Sequence, residues 1–467
     1  MEDHDLTEGD LEVEESRKAG HLRIKLRRAV PHTKSTNGAL DMKSKTLALA
    51  GLLVVAYLCG RLGLAPELQS QAQAKASARG TSDAAAPLVA PPSERRAREA
   101  SGGVGSAQQN KRTAAWYPRT ETLAPDEMFV VALGTGMPTP ITRAQKSSAW
   151  YVELGNGDVF LFDCGTGSSE NLFALRPDFL KVDKVFVSHL HSDHVGDVDA
   201  VWIGGWLSGR YTPLNIYGPA GSEPRLGTAA FVEGLKSAYA WDVKGRSGTL
   251  PDNGGILIAH EFDYKLVGGV VYEENGVKIT SCPAIHALDG SVSYRLDWNG
   301  LSFVFGGDSA PNKWFIEQAK GCDFVIHECF YSAEGLASFL GFPPRQAVLV
   351  SSYIHTPPTA FGKLMAEVRP RLAVGYHSIL VPDMQLNMTD RIRSVYDGPL
   401  VLATDLMCWN ITKDSIQERE VISAERVQPP PTSPGYMTAK RSGEAKISDY
   451  ILSGRWAGYT PPPLPDK

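Results

Sequence analysis

The chain has 467 residues, 43% hydrophobic and 21% charged, which is too long for one average domain and too apolar for a wholly disordered protein. Lys and Arg number 47 against 52 Asp and Glu, and the net charge of -5 leaves no basic excess for bulk attraction to nucleic acid. Six cysteines without a C-x-x-C pair exclude a disulfide-dense scaffold and the usual cysteine zinc motifs.

Residues 1–45 read as a polar tail, acidic first and then basic, and Met42 offers a second start within it. The apolar run at 46–60, TLALAGLLVVAYLCG, follows Lys43 and Lys45. It is short of the ~20 residues that span a bilayer but suits the apolar region of a signal peptide. Ala72-Gln73-Ala74 then supplies a small-residue cleavage site. An uncleaved anchor over 46–65 is the alternative. Both predict contact with a membrane or translocon, and an exported, periplasmic or outward-facing anchored protein rather than a cytoplasmic one. Residues 66–119, rich in Ala, Ser, Gln and Gly, form a flexible linker, and 426–467 a proline-rich tail. The folded body is then 120–425.

Within that body, short apolar runs at 128–133, 149–154, 158–162, 184–188, 301–305, 323–326, 372–375 and 400–403 read as strands. Stretches at 310–320 and 358–368 read as helices. Mixed strands and helices predict an α/β sandwich with functional residues on the loops at strand ends.

One such loop holds His189-Leu-His191-Ser-Asp193-His194. Chance gives three histidines at this spacing about 0.006 times in a chain of this composition. Imidazoles and a carboxylate clustered after a strand suit Zn²⁺ or a similar first-row ion. The pattern resembles the H-x-H-x-D-H signature of the metallo-β-lactamase superfamily. Later segments match that family in order: Phe162-Asp163-Cys-Gly, Ala284-Ile-His286, Gly307-Asp308 and Gly375-Tyr-His377. The resemblance implies an αββα sandwich with two Zn²⁺ per chain, Mn²⁺ or Fe²⁺ being alternatives. His189, His191 and His286 would hold the first ion, and Asp193, His194 and His377 the second. Asp308 would be shared, and Asp163 would brace the histidine loop. Asp193 would also take or orient the proton of the attacking water, which the zinc pair activates as hydroxide. Seven of the eight body histidines fall on family motifs, leaving His260 as an ordinary surface residue.

Two further segments narrow the branch. His327-Glu328-Cys-Phe and His355-Thr356 resemble the His-Glu and His-Ser-Thr motifs of ribonuclease Z, in which the glutamate orients a histidine that protonates the leaving group. By position these are Glu328 and His355. That family's tRNA-clamping arm lies between the third motif and the Gly-Asp motif. Here His286 and Asp308 are only 22 residues apart in the numbering, which leaves no room for it. The chain is therefore similar to arm-less relatives such as guanitoxin-biosynthesis-type metallo-hydrolases.

The expected activity is metal-dependent hydrolysis of a phosphodiester or related ester in a small molecule, with nucleic acid disfavoured. The alternatives are tRNA 3′ processing, an arylsulfatase- or lactonase-type hydrolase, and a binding protein that keeps its metals without catalysis. A homodimer is the family's expectation. Between His194 and His286 lie Trp202, Trp206, Tyr211, Tyr217, Phe231, Tyr239 and Trp241 with Arg210, Lys236, Lys244 and Arg246. They read either as a pocket wall or as the core of covering helices, and 206–242 as a lid. Cys164, Cys282, Cys322, Cys329 and Cys408 read as buried thiols, with one disulfide open if the compartment is oxidising.

Overall fold

A computed structural model describes residues 112–138, 144–423 and 448, together with the backbone of two strands, Glu12–Lys18 and His21–Arg27. The chain divides into two units, Met1–Ser106 and Ala107–Lys467. In the first, the two strands pair antiparallel from Glu12 with Arg27 to Lys18 with His21, a hairpin within what the sequence reads only as a polar tail. The apolar run at 46–60, Arg143 and, apart from Ser448, the proline-rich tail lie outside the described residues. No helix among the described residues is long and apolar enough to cross a membrane.

The second unit is built on two sheets. One has nine strands in the spatial order Ala115–Trp116, Ile416–Val421, Met407–Ile411, Met128–Gly134, Ala149–Leu154, Val159–Phe162, Lys184–Phe186, Leu214–Pro219 and Leu257–Phe262. The other has seven, in the order Gly269–Glu274, Val277–Pro283, Val292–Trp298, Leu301–Phe305, Phe324–Glu328, Leu372–Tyr376 and Leu400–Leu402. Met128–Gly134 shows why these strands read as unbroken apolar runs. Successive side chains point to opposite faces, and both faces are covered. Met128, Val130 and Ala132 enter the layer between the sheets, against Tyr294, Phe303 and Phe324. Phe129, Val131 and Leu133 face the other way, toward Leu172, Val198 and Trp202 of the outer helices. Leu301–Phe305 does the same, with Phe303 and Phe305 inward and Val304 against Phe315 and Phe361. Helix, sheet, sheet and helix therefore stack as the expected αββα sandwich.

Two boundaries differ from the sequence reading. Trp116 packs on Phe129 with ring centroids 5.0 Å apart, and Ala115–Trp116 pairs with the last strand, so the body begins before residue 120. The span 206–242 is not a lid as a whole, because Leu214–Pro219 is a parallel strand of the nine-stranded sheet and Trp206 is fully buried beneath it. The helices Thr228–Ala238 and Ala240–Arg246 that follow that strand join Ser168–Leu175 and Val198–Leu207 on the sheet's outer side.

The five described cysteines are free and buried, with no disulfide among them. Strands 159–162, 184–186 and 214–219 are mutually parallel, as are 301–305, 324–328, 372–376 and 400–402. Parallel strands bring their carboxyl ends to one edge, and the loops there are where side chains can converge.

Candidate metal centre

That edge collects the residues singled out by the sequence. His189, His191 and His194 follow Lys184–Phe186, Asp308 follows Leu301–Phe305, Glu328 ends its strand, and His377 follows Leu372–Tyr376. His286 comes from the loop after Val277–Pro283, and His355 from the end of the turn Val350–Ile354.

The ligand-type atoms fall into groups, each within 4.8 Å: His189, His191 and His286 in one, Asp193, His194, Asp308 and His377 in a second, and Asp308, Glu328, His355 and His377 in a third that overlaps the second. In the first, Nδ1 of His191 lies 3.0 Å from Nε2 of His189 and 3.1 Å from Nε2 of His286. Oδ2 of Asp308 sits between the groups, 3.3 Å from Nε2 of His194, 3.2 Å from Nε2 of His377 and 3.8 Å from Nε2 of His286. Oδ2 of Asp193 completes the second set, 3.1 Å from Nε2 of His377 and 3.3 Å from Nε2 of His194.

The far side of most of these rings is held. Nδ1 of His194 donates to Oδ2 of Asp163 at 2.6 Å, and Nδ1 of His286 lies 3.1 Å from the Ile354 carbonyl. Nδ1 of His189 meets the Ser188 hydroxyl at 3.1 Å. Asp163 also accepts the Ser188 N–H at 2.7 Å and its hydroxyl at 2.9 Å, so one buried carboxylate fixes the base of the histidine loop. Asp163 has φ of 58°, a left-handed conformation that Asp tolerates better than most residues.

The donors fit a dinuclear metal site by their own chemistry. Three imidazole nitrogens converge around Nδ1 of His191, which has at most one N–H to share between Nε2 of His189 and Nε2 of His286, an arrangement that suits a cation. Nε2 of His194 and Oδ1 of Asp308 are buried without a hydrogen-bond partner. Burial pushes His286 down to about 4 and His189 well below its usual value, which keeps both rings neutral as ligands. Burial alone would lower His194, but Asp308, Asp193 and Asp163 around it carry it well up. That excess of carboxylate is what a divalent cation would neutralise.

Beside this cluster, Nδ1 of His355 lies 2.6 Å from Oε2 of Glu328, within hydrogen-bond reach, and 3.9 Å from Oδ2 of Asp308. Burial and the nearby Asp308 push Glu328 well up, and burial lowers His355. The two form a unit that shares a proton rather than an independent acid and base.

His260 is exposed, stacked on Tyr217 and bonded to Asn215 at 2.8 Å, apart from the cluster. The aromatics between His194 and His286 split between both readings. Trp202 and Trp206 are core, Phe231 lines a cavity at the histidines, and Trp241 is 85% exposed. Of the cations, Arg210 is fully buried and donates to the carbonyls of Thr212, Trp202 and Gly254, so it cannot reach a substrate phosphate. Lys236 pairs with Glu233 and Arg246 with Asp242.

Two supports were not legible in the sequence. Asp405 accepts from Thr135 N, Thr135 Oγ1, Lys146 N and Asn171 Nδ2, and the Thr135 carbonyl then receives the His377 N–H at 2.8 Å. Phe330 stacks on His355. Asp405 gives no local signal, because its partners come from about 230 to 270 residues away. Phe330 directly follows His327-Glu328-Cys329, but nothing in sequence brings it to His355.

The fold and its convergent His and Asp side chains define a metallo-hydrolase scaffold, and comparison with known proteins agrees. The metallo-beta-lactamase superfamily profile matches residues 142–313. Ribonuclease Z of Mycobacterium avium is 33% identical over 213 residues, 42% of this chain and 69% of that protein. Ribonuclease Z of Mycolicibacterium gilvum is 30% identical over 211 residues, covering 42% and 67%. Among solved structures, the short form of human tRNase Z aligns over 60% of this chain and 98% of its own, with 17% identity and a TM-score of 0.45. The chain belongs to the metallo-β-lactamase superfamily of hydrolases, on its ribonuclease Z-like branch.

Proposed function

We propose that the protein is a metal-dependent phosphodiesterase. The observation that carries this reading is the Glu328–His355 pair set beside Asp308, a proton donor placed at the edge of a ready-made cation site. His189, His191 and His286 would hold one zinc ion, Asp193, His194 and His377 a second, and Asp308 both. Mn²⁺ and Fe²⁺ suit the same donors. When bound, the ions supply Lewis acidity at the phosphoryl oxygen and at water.

The chain's own groups do the rest. Ser188 and Asp163 hold His189 and His194 in one orientation, which avoids reorganisation during turnover. Asp193 orients the proton of the attacking water. Glu328 and Nδ1 of His355 share a proton, so as Nε2 of that ring gives its own proton to the departing oxygen, Nδ1 takes the shared proton from the Glu328 carboxyl.

On substrate, the named ribonucleases Z at 30% and 33% identity support cleavage of RNA at its 3′ end. A small phosphodiester is the second reading. It is favoured by the connection from His286 to Asp308, where Val292–Trp298 and Leu301–Phe305 form a plain hairpin with no extension. Incubation with precursor tRNA and with bis(p-nitrophenyl) phosphate separates them. Selective cleavage of the RNA supports the first, and turnover of the aryl ester alone the second. Loss of neither substrate by metal-loaded protein overturns both.

We also propose export, resting on the apolar run at 46–60, and a homodimer on the branch's habit. N-terminal sequencing of the mature protein and its mass in solution test these; a cytosolic chain beginning at Met1 ends the export proposal.

A further inference from the structure

The histidines His189, His191 and His286 form one end of a cavity of about 360 Å³. Its other walls are Leu226, Phe231 and Leu288, from the turn Pro224–Leu226, the helix Thr228–Ala238 and the loop after His286. The volume lies near the lower end of the ~300–1,000 Å³ range of small-ligand pockets. Leu288 is 65% exposed and Leu226 38%, so apolar surface stands open to solvent beside the candidate metal centre.

Charge on the walls is balanced rather than positive. Arg225 is held by Glu223 at 2.8 Å, and Asp289 accepts from the Tyr264 hydroxyl at 3.1 Å. A second phosphate would find no cationic cradle here, whereas an uncharged ring or chain would remove apolar surface from water. Neither His355 nor Glu328 lines the cavity, so an occupant meets the candidate centre at the His189, His191 and His286 group rather than at the Glu328–His355 pair.

We infer that this cavity is a subsite for an uncharged apolar group, a ring above all, on the non-leaving ester of the substrate. A nucleobase and a simple aryl group share that chemistry. The inference rests on the phosphodiesterase reading.

Three p-nitrophenyl phosphodiesters with methyl, phenyl or thymidine-5′ as the non-leaving group test it on metal-loaded full-length protein. The phenyl ester should exceed the methyl ester in kcat/KM by about tenfold or more, the scale expected for burying one ring. Leu288→Asp and Phe231→Ala should bring that ratio close to one. A thymidine ester as good as phenyl identifies a nucleobase, and one as poor as methyl identifies a plain aryl group. Equal phenyl and methyl values, or a preference that survives both substitutions, overturns the subsite. If no ester is turned over, the phosphodiesterase reading fails by itself. Equilibrium binding of phenyl phosphate against methyl phosphate then decides the cavity, with equal affinities overturning it.

Discussion

The ring of Phe330 lies almost flat against that of His355, centroids 4.3 Å apart and planes inclined by 21°. Phe330 is buried, and its own N–H donates to the Thr356 carbonyl at 2.9 Å, so its position is set from both sides of the contact. With Glu328 on Nδ1, the stack leaves the imidazole of His355 one orientation. Phe330 thus acts through His355 as a positioning residue.

Phe330→Ala should therefore hurt substrates in proportion to their need for a proton. Turnover of an ester with a poor leaving group, such as phenol, should fall about tenfold, and that of a p-nitrophenyl ester less than about threefold. Metal content should not change, and Phe330→Tyr should restore most of the loss. Equal losses for both leaving groups would count against positioning and for general damage to the fold.

Asp163 gives a stability prediction. Its carboxylate accepts from four buried donors, Ser188 N, Ser188 Oγ, His194 Nδ1 and, at 3.3 Å, Ser148 Oγ. Asp163→Ala removes the acceptor for Ser188 and His194 and should cost about 3–5 kcal/mol, read by denaturant unfolding, with loss of bound metal. Asp163→Asn tolerates the left-handed backbone and should cost less. Its amide cannot serve every donor, so metal content should still fall. A fully metallated, equally stable Ala variant would contradict the bracing role.

His327 predicts a pH dependence of folding. The ring is fully buried, packed 4.6 Å from Phe315, and donates from Nδ1 to the Glu328 carbonyl. Burial pushes it down to about 4, below the 6.5 of an unfolded histidine. The unfolded chain thus binds the proton first. The contribution is fully present above about 6.5 and is lost as pH falls toward 4, by at most about 3 kcal/mol. Unfolding measured in chelator should show a steeper acid loss for the wild type than for His327→Leu. Parallel slopes would sink this assignment.

These residues also show what the sequence discloses. An α/β sandwich was legible because strands such as 128–134 and 301–305 are covered on both faces and are apolar at nearly every position, and the histidine motifs' resemblance implied the αββα order. The helix Pro358–Val368 falls where its Pro start and apolar spacing place it. The cluster was legible because its members keep fixed spacing on a few loops. Strands 257–262 and 269–274 escaped notice, since they lie toward the sheet edges and mix exposed polar residues with apolar ones. Asp405 and the Phe330–His355 stack escaped too, because tertiary contact alone creates them.

The His189, His191 and His286 group and the Asp193, His194 and His377 group, with Asp308 between them, should hold the metal ions on which phosphodiester cleavage depends. This is tested most directly by metal analysis of purified wild type and Asp308→Ala, paired with their hydrolysis of bis(p-nitrophenyl) phosphate before and after chelation. About two ions per wild-type chain are expected, with activity lost on chelation and regained on adding Zn²⁺ or Mn²⁺. Asp308→Ala should hold less metal and be inactive. A metal-free wild type that retains full activity would contradict the account.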